Sequence, residues 1–163
     1  MWSEQAHGLV SLLREGGLRS RTGILLLAPF HLRAEADLAA RLQAAPVDFA
    51  AEYLKTLPPD ARMAGLDDVR IFECLHTLAN ASGWSRDCLL VYNFDLPLAR
   101  LMSEARDQLW RDLYAGFAYR RHALLLALPE GSTPLLPSGR ALDDWRIEGR
   151  IVPAVESPSG REE

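Results

Sequence analysis

Residues 24–42, ILLLAPFHLRAEADLAARL, decide how this chain is read. Four consecutive apolar residues follow Gly23 and stop at a turn that opens Ala28-Pro29. A short unbroken apolar run bounded by turn residues is the pattern of a strand buried on both faces. Beyond the turn, residues 34–43 place Leu38 and Leu42 four apart, on one side of a helix. Strand, turn and helix in that order predict a parallel βα unit, because parallel strands need helical crossovers.

Working outward, the same alternation recurs. Residues 3–15 read as an amphipathic helix with Ser3 as cap and Gly16-Gly17 as stop. Ala45-Pro46 breaks the 34–43 helix, Val47 to Phe49 form a short strand, and 50–57 a helix that ends at Pro58-Pro59. Residues 67–82 form the clearest helix, capped by Asp67 or Asp68, with Val69, Phe72, Leu75, Leu78 and Ala79 as its apolar face. Cys88 to Tyr92 (CLLVY) reads as a strand, NFDLP as a turn, 98–119 as one long helix, and 122–128 (HALLLAL) as another strand. A short helix or turn then leads to a last strand near 146–152. The class is α/β, a three-layer sandwich with a mainly parallel sheet, forming a single domain over 1–153. The polar residues 154–163 are expected to be a disordered tail.

Composition narrows the function. A net charge of −4 argues against direct nucleic-acid binding, which needs a basic face to neutralise phosphates. No apolar run approaches the roughly 20 residues that cross a bilayer. The N-terminus has no basic segment of a secretory signal, and the two cysteines, Cys74 and Cys88, make no disulfide framework. The expected compartment is the cytoplasm.

In an open parallel sheet, ligands sit beyond the carboxyl ends of the strands. A strand–loop–helix there can cradle phosphate if glycines curl the backbone, a lysine reaches the outer phosphates and a hydroxyl holds magnesium. Laid on Ala28, Pro29, Phe30, His31, Leu32, Arg33, Ala34 and Glu35, that pattern finds no glycine. The lysine position is Ala34 and the hydroxyl position Glu35; Lys55, the only lysine in the chain, lies in another helix. The acid that should end the next long strand is Tyr92, with Asn93 and Asp95 following. Two independent elements of a nucleotide site are thus degraded together.

From about Leu25 to Leu142 the chain resembles the small P-loop proteins of type 3 BREX phage-defence systems. The segments that carry the likeness are ILLLAPFHLRAEADLAARL, FAAEYLKTLPPDAR, LDDVRIFECLHTLANASG running into LLVYNFDLPLA, and LWRDLYAGFAYRRHALLLALPEG. That family has a lysine-bearing loop where this chain has APFHLRAE, and an aspartate at Tyr92; Asn93 and Asp95 match. The resemblance implies a RecA/AAA-like P-loop fold in an anti-phage operon. With both motifs lost, the expected role is a non-catalytic, pseudo-ATPase subunit that assembles or regulates a defence complex. Its partners would be other protein subunits, an ATPase among the candidates, or a second copy of itself, and no cofactor or metal is expected.

Two alternatives come from the same residues. Glu35 and Asp95 could serve an unconventional ATP–Mg²⁺ hydrolase, alone or completed by a partner. Arg120 and Arg121 could act in trans on a partner's nucleotide, or touch DNA. His31 and Arg33 are expected as exposed or capping loop residues rather than ligands, and Glu73, Cys74 and His76 diverge along their helix. Arg100, Arg106 and Arg111 are expected to pair with Glu104, Asp107 and Asp112 on a solvated face. Trp84, Trp110 and Trp145 are expected as core or interface anchors.

Overall fold

The computed structural model describes residues 4–15, 21–56, 67–116 and 121–154. A five-stranded sheet has the order β2-β3-β4-β1-β5, with β1 Thr22–Leu27, β2 Ala45–Asp48, β3 Cys88–Tyr92, β4 Ala123–Pro129 and β5 Ile151–Pro153. All pairings are parallel. The helices are α1 Glu4–Glu15, α2 Glu35–Leu42, α3 Phe49–Thr56, α4 Asp68–Asn80, α5 Asp95–Arg100, α6 Ser103–Ala115 and α7 Arg140–Ile147.

Handedness distributes these helices. The crossover from β1 to β2 travels one way across the sheet, and every later crossover travels the other way. Right-handed connections therefore put α2 on one face and α3 to α7 on the opposite one. Packing agrees: Leu25, Leu27, Leu90, Leu125 and Ala127 meet α1 and α2, while Ile24, Val91, Leu124, Leu126 and Leu128 meet α3 to α7. The β3 and β4 strands alternate between the two cores with period two. The α/β three-layer expectation holds.

Several boundaries are corrected. Pro46 does not end a helix; it lies in β2, exposed, where an edge strand tolerates a residue without an N–H. Phe49 begins α3 rather than ending a strand, and Asp48 caps that helix by accepting from the Ala51 amide at 3.2 Å. On α4, Asp67 caps through the Arg70 amide at 2.8 Å, but the buried stripe is Ile71, Cys74, Leu75, Leu78 and Ala79. Leu75, Leu78 and Ala79 are buried as expected and Phe72 packs half-buried against the core, but Val69 is 57% exposed, because toward the N-terminus the stripe continues through Cys74 and Ile71.

The expected long helix over 98–119 is two helices, α5 and α6, broken at Leu101 and Met102, both extended. The Arg106 guanidinium donates to the Leu101 carbonyl at 3.2 Å and to the Pro134 carbonyl at 3.0 Å, which holds the break against a distant loop. Residues 146 and 147 belong to α7, so the last strand starts at Ile151. Ala154 is fully buried and its amide bonds Leu26 across the sheet edge. Ala154, expected to open a disordered tail over 154–163, is thus corrected to the sheet; the rest of that tail, the Ser3 cap, the Gly16-Gly17 stop and Pro58-Pro59 lie outside the described residues.

An aromatic ladder fills the larger core. Phe49, Phe94, Trp110 and Trp145 meet edge to face in succession, with ring centroids 5.1, 6.1 and 5.8 Å apart. Trp110 and Trp145 are core anchors, as expected from their type, and Trp84 donates to the Leu78 carbonyl at its margin.

Candidate functional site

Since α2 leaves β1 toward one face and α7 leaves β4 toward the other, the adjacent ends of β1 and β4 form the topological switch point. A cleft of about 240 Å³ opens there. Arg33, Glu35, Tyr92, Asn93 and Asp95 give it a polar side, and Leu27, Leu32, Ala127 and Pro129 an apolar one. Five of the residues picked out by pattern, from two separate segments, thus converge on one cleft. Ala28, Pro29, Phe30, His31 and Ala34 do not line it.

The loop between β1 and α2 is closed on itself. Pro29 to His31 form a 3-10 turn, a state that proline enters readily at its first position. Its amides bond inward: His31 N to Ala28 O at 2.9 Å, Leu32 N to Pro29 O at 3.2 Å, and Ala34 N to His31 O at 2.9 Å. The His31 ring occupies the middle, 2% exposed, with Nδ1 accepting the Ala28 amide at 3.1 Å. An exposed His31 is therefore corrected; its capping role stands. Burial holds its pKa below the ordinary value, with Glu130 opposing, so the neutral ring that can accept is the favoured form. Phe30, 68% exposed, tilts against it with centroids 4.2 Å apart.

After the turn the backbone is forced. Arg33 has φ +72°, and Asn93, across the cleft, has φ +55°. Asn tolerates the left-handed region; for Arg it costs about 1–2 kcal/mol. Arg33 itself is exposed, as expected. Tyr92 is half-buried, and its phenol pKa is raised by burial first and then by the Asp48 and Glu35 carboxylates. A neutral hydroxyl thus stands where a magnesium-holding carboxylate would be needed.

Four amides of the loop, those of Ala28, His31, Leu32 and Ala34, are bonded within it, no ammonium stands at Ala34, and Glu35 would repel a polyphosphate. Among the described residues, no three of His, Cys, Asp or Glu are grouped to hold a metal. No helix described is long and apolar enough to cross a membrane.

The remaining candidates lie elsewhere. Arg121 is exposed at the opposite end of β4, about 20 Å of strand from the cleft at 3.3 Å per residue. Its amide meets the Asn80 side chain and its carbonyl the Arg21 guanidinium. Arg120 is outside the described residues. Cys74 and Cys88 are buried thiols pushed up to about 11 and about 12 by burial, so neither is a nucleophile in waiting. The expected Arg–carboxylate pairs of α6 are absent among the described residues: Arg106 serves backbone carbonyls and Arg111 bonds Gln108.

Pattern reading missed a second concavity beside the first. A groove of about 440 Å³ runs between α3 and α5, and Asp95 lines both it and the cleft. Its residues carry no motif, only the exposure of Leu54 and Leu96 at 55% and 54%. No family model, curated protein or solved structure matches the chain.

Proposed function

We propose that this chain is a non-catalytic P-loop-type subunit, a pseudo-ATPase that works by binding other proteins in a bacterial anti-phage complex. The observation that carries the reading is the closed β1–α2 loop, in which His31 accepts the Ala28 amide and three further amides bond loop carbonyls. The loop keeps its place at the switch point while four of its amides are occupied from within. The strand order also supports a RecA/AAA-like layout, with β1 inserted between β4 and β5 and β3 across β4. The defence context rests on the resemblance read from the sequence.

Isothermal titration with ATP–Mg²⁺ tests it. No heat is expected at millimolar nucleotide, and micromolar affinity would overturn the reading. A second reading has its own observation: Glu35 and Asp95 share the cleft with Arg33 and Asn93. Read that way, the chain is an unconventional hydrolase, acting alone or completed by a partner. Phosphate release that disappears in Asp95→Ala would establish it, and no release with or without neighbouring-gene products would remove it.

A further inference from the structure

We infer that the groove between α3 and α5 is a self-pairing surface, occupied by the same surface of a second copy of this chain about a two-fold axis. The groove has small residues, Ala50 and Ala99, on its two flanking helices and Tyr53, Pro97 and Leu135 around them. Leu54 and Leu96, each more than half exposed, stand at its margins. The surface therefore carries its own knobs and its own hole, which is what an isologous contact requires.

Charge makes the match specific. Asp95 opens α5 and Arg100 closes it, and both line the groove. Neither is in an ion pair among the described residues. The two lie five residues apart, about 7.5 Å along the helix. Across a two-fold axis Asp95 of each α5 meets Arg100 of the other, so one symmetric contact forms two ion pairs; because residues five apart point about 140° apart around a helix, the two α5 helices cross steeply in that contact. A second copy supplies the complementary charge at each position by symmetry.

The pairing adds a partner to the assembly role proposed above and is separable from it. ATP binding would overturn the closed-loop account and leave the pairing untouched, whereas a monomer would do the reverse.

The test is a charge exchange read by sedimentation velocity across a range of protein concentrations. The wild-type chain is expected to double in mass as concentration rises. Asp95→Arg and Arg100→Asp are each expected to weaken pairing at least about tenfold, since each sets like charges face to face twice. An equimolar mixture of those two variants should pair again, because both contacts of the mixed pair then set a guanidinium against a carboxylate. The chain carrying both changes should pair for the same reason. Circular dichroism checks that each variant is folded. Should one not fold, Leu54→Glu, on the other margin, must abolish pairing instead. A wild-type chain that stays monomeric, single reversals that pair normally, or a mixture that does not recover would each overturn the inference.

Discussion

Protonation of His31 would place an N–H at Nδ1, where the Ala28 amide already points its own. Burial lowers the folded pKa below the ordinary value of about 6.5. The unfolded chain then binds more protons in the window below 6.5, so stability rises with pH through that window and is fully present above it. As pH falls below 6.5 this contribution is lost. His31→Asn keeps an acceptor near the Ala28 amide without titrating. Urea midpoints measured from pH 5 to 8 should therefore climb more steeply for the wild-type chain than for the variant; equal slopes would refute this account of the loop. Arg150 is the other residue whose burial decides much. It is 1% exposed, packs against both the Tyr114 and Trp145 rings at 4.4 and 4.2 Å, and donates to Thr22 O and Tyr114 O. Its third partner, Glu148, meets it at 3.0 Å. Lysine has neither the planar face nor the fork, so Arg150→Lys should cost roughly 3 kcal/mol in urea unfolding, in the range for breaking a buried pair. A loss below about 1 kcal/mol, the size of a surface pair, would mean the stack contributes little. Nothing in the string GRIVP distinguishes this arginine from a solvated one. Its burial is set by Tyr114 and Trp145, which come from α6 and α7.

At the scale of elements, the readable features are those whose cause is local. GILLL and CLLVY stand out because strands covered on both faces need apolar residues at every position. Asp67 is recognisable as a cap because its carboxylate serves an amide three residues on. The α5–α6 break is different. Leu101 and Met102 are acceptable helix residues, and what holds them extended is Arg106 reaching a carbonyl 28 residues away. A tertiary contact overrides local propensity there. The same break leaves an opening for improvement. Met102 is the N-cap of α6, has the extended conformation a cap needs, makes no side-chain cap bond and is 81% exposed. Met102→Asp should stabilise the protein by about 1 kcal/mol through a bond to the amides of the first turn and the helix dipole. Thermal unfolding checks this, and an unchanged or lower midpoint would show that the backbone at 102 does not act as a cap.

On the scale of the whole molecule, one reversal in direction explains most of the architecture. The chain crosses the sheet once from β1 to β2 and then returns, which divides the helices between two faces and opens the cleft at the adjacent ends of β1 and β4, where the chain leaves toward opposite faces. The alternation of strands and helices made the class readable from sequence. Strand order was not, because the alternation is the same for any order of parallel strands. The positions of Tyr92 and Asp95 beside the β1 loop follow only from that order. It also leaves one face thinly covered. Among the described residues, five helices pack over one side, whereas only α1 and α2 cover the other. The α1 helix is thus a layer and not an appendage: Leu9 and Leu13 are buried there, and Leu9 lies so close to Gly23 that a β-carbon on that glycine would meet it at 2.9 Å. Truncating a buried leucine costs its transfer free energy plus the cavity left behind. Leu13→Ala should therefore lower stability by about 2–5 kcal/mol in urea unfolding, a core-sized effect. Leu12, one residue away on the same helix but 38% exposed, should lose much less on the same change. Similar losses at both positions would mean that α1 is held by general apolar contact and not by the face docked on β1, β4 and β5.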